Sequence, residues 1–184
     1  MPDRPTQILQ ATARLIAHRG VRGLRVEEVA AEAGVSTALI YYHFKNRAGL
    51  LRHTLDFINR RAIRYTEPDV RAPDPRAQLT DMLLMELQDD PSVRENSAAW
   101  GELRATAVFD SGLHEELAAA TTAWVTDVAD LIRQSEAAQD TDPQAAAERL
   151  VALVEGLSQQ WLSRTLTLER ARELLRSAVD RELR

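Results

Sequence analysis

Apolar residues return every third or fourth position along this 184-residue chain, from Ile8, Ala11, Leu15 and Ile16 to Leu168, Ala171, Leu174, Leu175, Ala178 and Val179. That is the period of a helix with one buried face. No stretch shows the period-two run of Val, Ile, Thr and aromatic residues that a sheet requires. The expected fold is therefore all-α: a three-helix N-terminal head on a larger helical bundle. The length permits one domain or two closely packed small ones.

Helix punctuation divides the chain into about nine helices. Pro5 in a first turn and Gly20 after a last turn bracket the first. Val26–Ala33 opens with Glu27 and Glu28, which suit the positive end of a helix dipole, and stops at Gly34. Ser36 can cap a third helix running to about Phe44, and Asn46 a fourth from Arg47 to about Tyr65. Residues 66–75, TEPDVRAPDP, hold three prolines and three acids, too many breakers for a helix, and mark a hinge. Further helices are expected near 75–89, 92–109, 113–137, 143–163 and 167–182. Their breaks fall at Pro91, Gly112, Gln139–Pro143 and Arg164–Thr167. The domain plan is a three-helix head at 1–47, then a body at 48–184 that begins with the linker helix.

Charge is unevenly distributed over these parts. Residues 1–65 carry 11 basic and 5 acidic side chains, a net of +6, whereas residues 66–184 carry a net of −11. A basic head on an acidic body would be oriented by a polyanion, the head attracted and the body repelled. With no cysteine there is no disulfide framework or thiolate metal site. No segment approaches the ~18 uninterrupted apolar residues of a membrane span, so a cytoplasmic location and no membrane partner are expected.

An α-helix fits the DNA major groove if a second helix holds it at a fixed angle with its outer face free. Residues 26–44 have that form. Val29, Ala30, Ala33 and Val35 can pack inward, Gly34 can make the turn, and Ile40 and Phe44 can anchor the next helix. Thr37, Ala38, Tyr41, Tyr42 and His43 are left to divide between packing and the outer face. Phe44 reads as core, Tyr41 as serving both, and His18 and His53 as surface residues.

The run Ile8-Leu9, Ala11, Leu15, Gly20, then Val29-Ala30, Ala33-Gly34-Val35-Ser36, then Leu39-Ile40-Tyr41-Tyr42-His43-Phe44-Lys45-Asn46-Arg47 and Leu50-Leu51 resembles the DNA-binding domain of the TetR family of bacterial regulators, over about residues 6–52. The resemblance implies base or phosphate contacts from Ser36, Thr37, Ala38, Tyr41, Tyr42 and His43, with Lys45 beside them and Arg47 gripping a phosphate. Hydroxyls reach phosphates or base edges, and a small side chain sits near a thymine methyl. Two positions depart from the family pattern: residue 37, often Lys, is Thr, and residue 39, usually Thr, is Leu. An operator cannot be copied from a relative. Arg25 stands where a hydroxyl cap is usual, and either replaces that contact by an ionic one or is a solvated surface residue.

For the body the resemblance implies dimerisation through the last two helices and a small-molecule effector in a cavity among the preceding ones. Leu150, Val154, Leu157 and Trp161 with Leu168, Ala171, Leu175 and Ala178 are the candidate dimer seam; the alternative is intrachain core. One short recognition helix contacts few base pairs, so a homodimer on a palindromic operator in double-stranded DNA is expected. Candidate effector-lining residues are Phe57, Ile58, Arg61, Met82, Glu86, Trp100, Leu103, Arg104, Phe109, Trp124, Val128, Glu155 and Gln159. Glu155, in the apolar run 150–157, needs a partner or a cationic ligand if it faces inward. Arg61 and Arg104 offer neutralisation, or an anion site instead; the tryptophans are core or a cation box.

Enzyme signatures are missing. The four histidines include no i, i+4 pair, His114-Glu115-Glu116 lacks the second histidine of a zinc protease motif, and there is no glycine-rich phosphate loop or serine elbow. No catalytic residue, metal or cofactor is expected. The leading expectation is a repressor released by a small effector. The alternative is a helix-turn-helix regulator governed by a protein partner without a small ligand.

Overall fold

A computed structural model describes residues 3–67, 74–135 and 141–184, and these contain nine α-helices and one 3-10 turn. In order they are α1 (Arg4–Arg19), α2 (Val26–Ala33), α3 (Thr37–Phe44), α4 (Arg47–Thr66), α5 (Pro75–Leu84), α6 (Pro91–Ala107), the 3-10 turn (Ser111–Leu113), α7 (His114–Gln134), α8 (Pro143–Leu162) and α9 (Leu168–Glu182). No strand occurs among the described residues. Most of the hinge at 66–75, and positions 139–140 of the Gln139–Pro143 break, lie outside them.

Local chemistry sets the helix ends. Asp3, Ser36, Asp74, Asp142 and Thr167 each accept a backbone N–H of the first turn of α1, α3, α5, α8 and α9. Gly34 closes α2 in the left-handed conformation, at φ 63° and ψ 39°. Two helices stop earlier than periodicity suggests. α5 ends at Leu84, not near 89, because Arg172 of α9 donates to Leu84 O (3.3 Å) and Leu87 O (2.6 Å) and satisfies carbonyls that a longer helix would have used. α6 ends at Ala107, where Phe109 N and Asp110 N both turn back to Thr106 O.

The chain divides into two compact units, one of Met1–Arg61 with Glu95–Ala118 and one of Ala62–Arg94 with Ala119–Arg184. This division does not follow the 47/48 boundary drawn from sequence, for a packing reason. In the first unit Ala99, Leu103, Ala107, Leu113 and Leu117 join the core of Ile8, Ile16, Val29, Ile40, Phe44, Leu50, Leu55 and Ile58. A head of three short helices has little interior, and this unit enlarges it with the start of α4 and with α6. Glu102 of α6 fastens the corner after α1 by accepting from Val21 N at 3.1 Å. Asn96 donates to Ile58 O at 3.0 Å.

The second unit is built around Leu79, Met82, Leu83 and Leu87, with Val128 and Ile132 of α7, Leu150, Val154 and Leu157 of α8, and Ala171, Leu175 and Val179 of α9. Arg149 of α8 pairs with Glu182 of α9 (2.5 Å). No helix among the described residues is long and apolar enough to cross a membrane.

Candidate nucleic-acid interface and interior carboxylates

α1 packs on α2, and both meet α3. Surface ion pairs Arg14–Glu32 (3.1 Å) and Arg19–Glu28 (3.2 Å) lie across the α1–α2 contact. α3 is anchored by Ile40 (1% exposed) and Phe44 (4%), four residues apart and so on one side of the helix. Tyr42 stands out at 80% exposed and Tyr41 at 45%, so the ring at 41 is shared between packing and surface. Ala38 is exposed, and Thr37 and His43 are half-buried. The His43 ring meets Tyr42 edge-on, with centroids 5.1 Å apart.

Ser36 accepts from Leu39 N at 3.2 Å as the cap of α3. That bond uses an oxygen lone pair and leaves the hydroxyl proton for an outside acceptor. Lys45 is exposed in a sharp reversal, with φ 66° and ψ −51°, and Asn46 N donates to Phe44 O across it (2.8 Å). These are the features of a γ-turn, a strained conformation for a non-glycine residue. Gly49 makes the reversal possible, since a Cβ there would fall 2.1 Å from Phe44 O. Arg25 is exposed at the start of α2 and makes no side-chain cap.

Arg47 is exposed at the start of α4. Its guanidinium donates to Val21 O (2.6 Å) and Leu24 O (3.4 Å), tying the start of α4 to the turn between α1 and α2. Carbonyls in that turn lie outside any helix, and a five-donor guanidinium is suited to collect them.

The candidate effector residues do not gather within one unit. Phe57, Ile58, Arg61, Trp100, Leu103, Arg104 and Phe109 belong to the first, and Met82, Glu86, Trp124, Val128, Glu155 and Gln159 to the second. Phe109 is a correction. It is 82% exposed, with Arg22 over its ring at 5.9 Å, because α6 ends two residues earlier and no longer aims it inward. Ile58, Leu103 and Val128 are fully enclosed in the two cores and present no surface to a ligand. Met82 is 3% exposed. Arg61 pairs with Glu95 at 2.8 Å and lies over Phe57, while Arg104 lies over Trp100 at 5.4 Å. Trp124 and Glu155 are half-buried, and Gln159 is exposed.

Glu86 is the most perturbed acid among the described residues. Burial pushes its carboxyl up to about 7, the nearby Glu155 charge adds to the rise, and a hydrogen bond from Tyr65 opposes it. Tyr65 Oη lies 3.1 Å from Glu86 Oε2. Sequence reasoning missed Tyr65, although a signal existed: 58, 61 and 65 share one face of α4.

Six of the eight expected seam residues are interior to the single chain. Leu150, Val154, Leu157, Trp161, Ala171 and Leu175 are each no more than 7% exposed and pack with α5 and α7 residues. The apolar stripes of α8 and α9 face that core first. Arg94 covers the Trp161 ring at 4.9 Å. Leu168 and Ala178 remain half-buried, as do Leu153, Leu162 and Leu174.

Comparison with known proteins agrees with this architecture. The family described as bacterial regulatory proteins, tetR family, matches residues 8–54, and the BetI-type transcriptional repressor C-terminal family matches 75–184. The structure of a TetR-family regulator from a Rhodococcus species is 47% identical with a TM-score of 0.92, covering all of both chains. A regulator from Saccharomonospora viridis, solved with choline, shares the fold at 24% identity and TM-score 0.80, over 96% of this chain and 95% of that one. The regulator BetI of Agrobacterium fabrum is 32% identical over 100 residues, 54% of this chain and 48% of that protein. With an outward α3 anchored by Ile40 and Phe44, and matches over both the head and the body, the chain belongs to the TetR family of transcriptional regulators and is a helix-turn-helix DNA-binding protein.

Proposed function

We propose that this regulator is a cytoplasmic repressor that binds a palindromic operator as a homodimer and leaves it when a small organic cation occupies its body. The DNA half rests on one observation: α3 buries Ile40 and Phe44 and turns Tyr42 almost wholly to solvent. Thr37, Ala38, Tyr41, Tyr42 and His43 meet bases and phosphates; Ser36, Lys45 and Arg25 add phosphate contacts at the edges. Arg47 orders the turn beside them.

The homodimer uses the outer faces of α8 and α9. Leu153, Leu162, Leu168, Leu174 and Ala178 keep apolar surface there. Gly156, exposed with nothing within 4 Å of where its Cβ would be, permits a close helix approach. The effector class is drawn from the half-buried Glu86 and Glu155, which favour a positive guest, and is in keeping with the choline-bound relative. Ligand selects a dimer conformation whose heads mismatch successive major grooves, and DNA opposes ligand binding by the same factor.

Selection of binding sites from genomic DNA by the purified protein, followed by sedimentation, tests the reading. Recovery of a dyad-symmetric site by a two-chain species is the expected result. A single half-site bound by a monomer would contradict it. Thermal-shift screening with choline, polyamines and acyl anions tests the effector class, and stabilisation by anions alone would reject a cation.

A further inference from the structure

The turn between α1 and α2 is held from two other helices of the first unit. From α4, the Arg47 guanidinium donates to Val21 O (2.6 Å) and Leu24 O (3.4 Å). From α6, 81 residues further along the chain, the Glu102 carboxylate accepts from Val21 N at 3.1 Å. Val21 thus has its N–H taken by a carboxylate and its C=O by a guanidinium, while its side chain is buried in the core with Leu24 and Ile40. Gly20 makes room for this approach. It lies at φ 74° and ψ 167°, a region that only glycine adopts readily, and a Cβ there would fall 2.7 Å from Glu102 Oε2. Arg22 of the same turn lies over Phe109, just past the end of α6.

This turn aims α2. That helix has only eight residues, and Arg25 gives it no side-chain cap, so little in α2 itself fixes the angle at which it leaves α1. α2 carries α3, through the left-handed Gly34 and the bond from Val35 N to Ala30 O (3.0 Å). A rotation at Val21 is therefore passed on to Tyr42 and its neighbours, and contacts to base edges depend on register and angle. On charge alone Glu102 opposes a polyanion, and its loss would strengthen DNA binding.

We propose that Glu102 is a positioning residue for operator recognition, its carboxylate reaching from α6 to hold the α1–α2 turn at the angle that presents α3. This rests on α3 being the reading face, and adds to it a residue outside the helix-turn-helix that sets how the face is displayed. It also reverses the sign expected of the charge: shortening the acid weakens operator binding, although the charge that repels phosphate is still there.

Anisotropy titration of the full chain on two duplexes, an operator selected from genomic DNA by the wild-type protein and a mixed-sequence duplex of equal length, separates reach from charge. Thermal melts of each variant fix a temperature at which all are folded. Glu102→Asp keeps the charge but is one methylene short of Val21 N; Glu102→Gln loses the charge but keeps an oxygen acceptor. The aspartate variant should lose about tenfold on the operator and less than about threefold on mixed sequence, because angle and register are disturbed and phosphate attraction is not. The glutamine variant should bind the operator as tightly as wild type or up to about twofold tighter. Hydrogen exchange at the Val21 amide should follow the same order, slow in wild type and Glu102→Gln and faster in Glu102→Asp. Wild-type operator affinity in Glu102→Asp would overturn the positioning role. An equal loss in Glu102→Gln would assign the effect to something other than the bond at Val21 N and overturn it as well. Tyr42→Ala on the same operator keeps the two readings apart: if it also binds like wild type, α3 is not the reading face, and if it alone loses affinity, only the role of Glu102 falls.

Discussion

The two units treat polar side chains in opposite ways. In the first, apolar anchors such as Ile40 and Phe44 are hidden and a large polar aromatic, Tyr42, is displayed on solvent. In the second, a carboxyl group is kept among apolar helices, where burial raises its proton affinity. An exposed tyrosine costs the fold almost nothing and suits a partner met on the surface. A half-buried acid weakens the fold wherever it must ionise. The lesson is that the two units leave different marks: one is visible as exposure, the other as a raised proton affinity.

The sharpest way to break this contrast in the first unit is to remove an anchor. Phe44→Ala should destabilise that unit by about 3–5 kcal/mol, read as a lower thermal midpoint and loss of DNA binding, because the cavity cannot be filled by a short helix. Gly49→Ala places a Cβ against Phe44 O and should cost on the order of 2 kcal/mol while shifting α3 relative to α4, so DNA affinity should fall more than stability does.

In the second unit the contrast predicts a gain instead of a loss. The Glu86 carboxyl is raised above its ordinary 4.5 to about 7 in the folded chain, so the folded state binds more protons than the unfolded between those values. Its contribution is fully present below pH 4.5 and is lost as pH rises through 7. Glu86→Gln should therefore stabilise the protein by about 1–3 kcal/mol at pH 8 and by little at pH 4, measured by urea unfolding at both. Equal effects at the two values would mean the glutamate is not held protonated. The smallest expected effect is at a cap: Ser36→Ala removes the bond to Leu39 N and should cost about 1 kcal/mol, with added loss of DNA affinity if the hydroxyl also meets a phosphate.

Much of this was legible before any coordinates. Pro5, Gly20, Gly34 and the caps at Ser36 and Asn46 located α1 to α4 to within a residue or so, since backbone rules act locally. The helix ends at Leu84 and Ala107 were not legible. Arg172, 88 residues beyond Leu84 in sequence, takes the terminal carbonyls, and only the fold brings it there. The outward set on α3 could be named from periodicity and family resemblance together. The seam could not, because a stripe such as Leu150, Val154 and Leu157 is the same pattern whether it faces a core or a second copy, and here it faces the core. Arg47 shows the same ambiguity in one side chain, since a guanidinium suits a carbonyl turn as well as a phosphate.

Tyr42 provides the most direct test of the central claim that α3 is the DNA-reading surface. Anisotropy titration of wild type and Tyr42→Ala on an operator selected from genomic DNA, with sedimentation of both, isolates it. The expected result is at least about a tenfold loss of affinity, with fold and oligomeric state unchanged, since a side chain 80% exposed contributes little to the core. Equal affinity of the two proteins for the same operator would remove α3 from the interface and contradict the account.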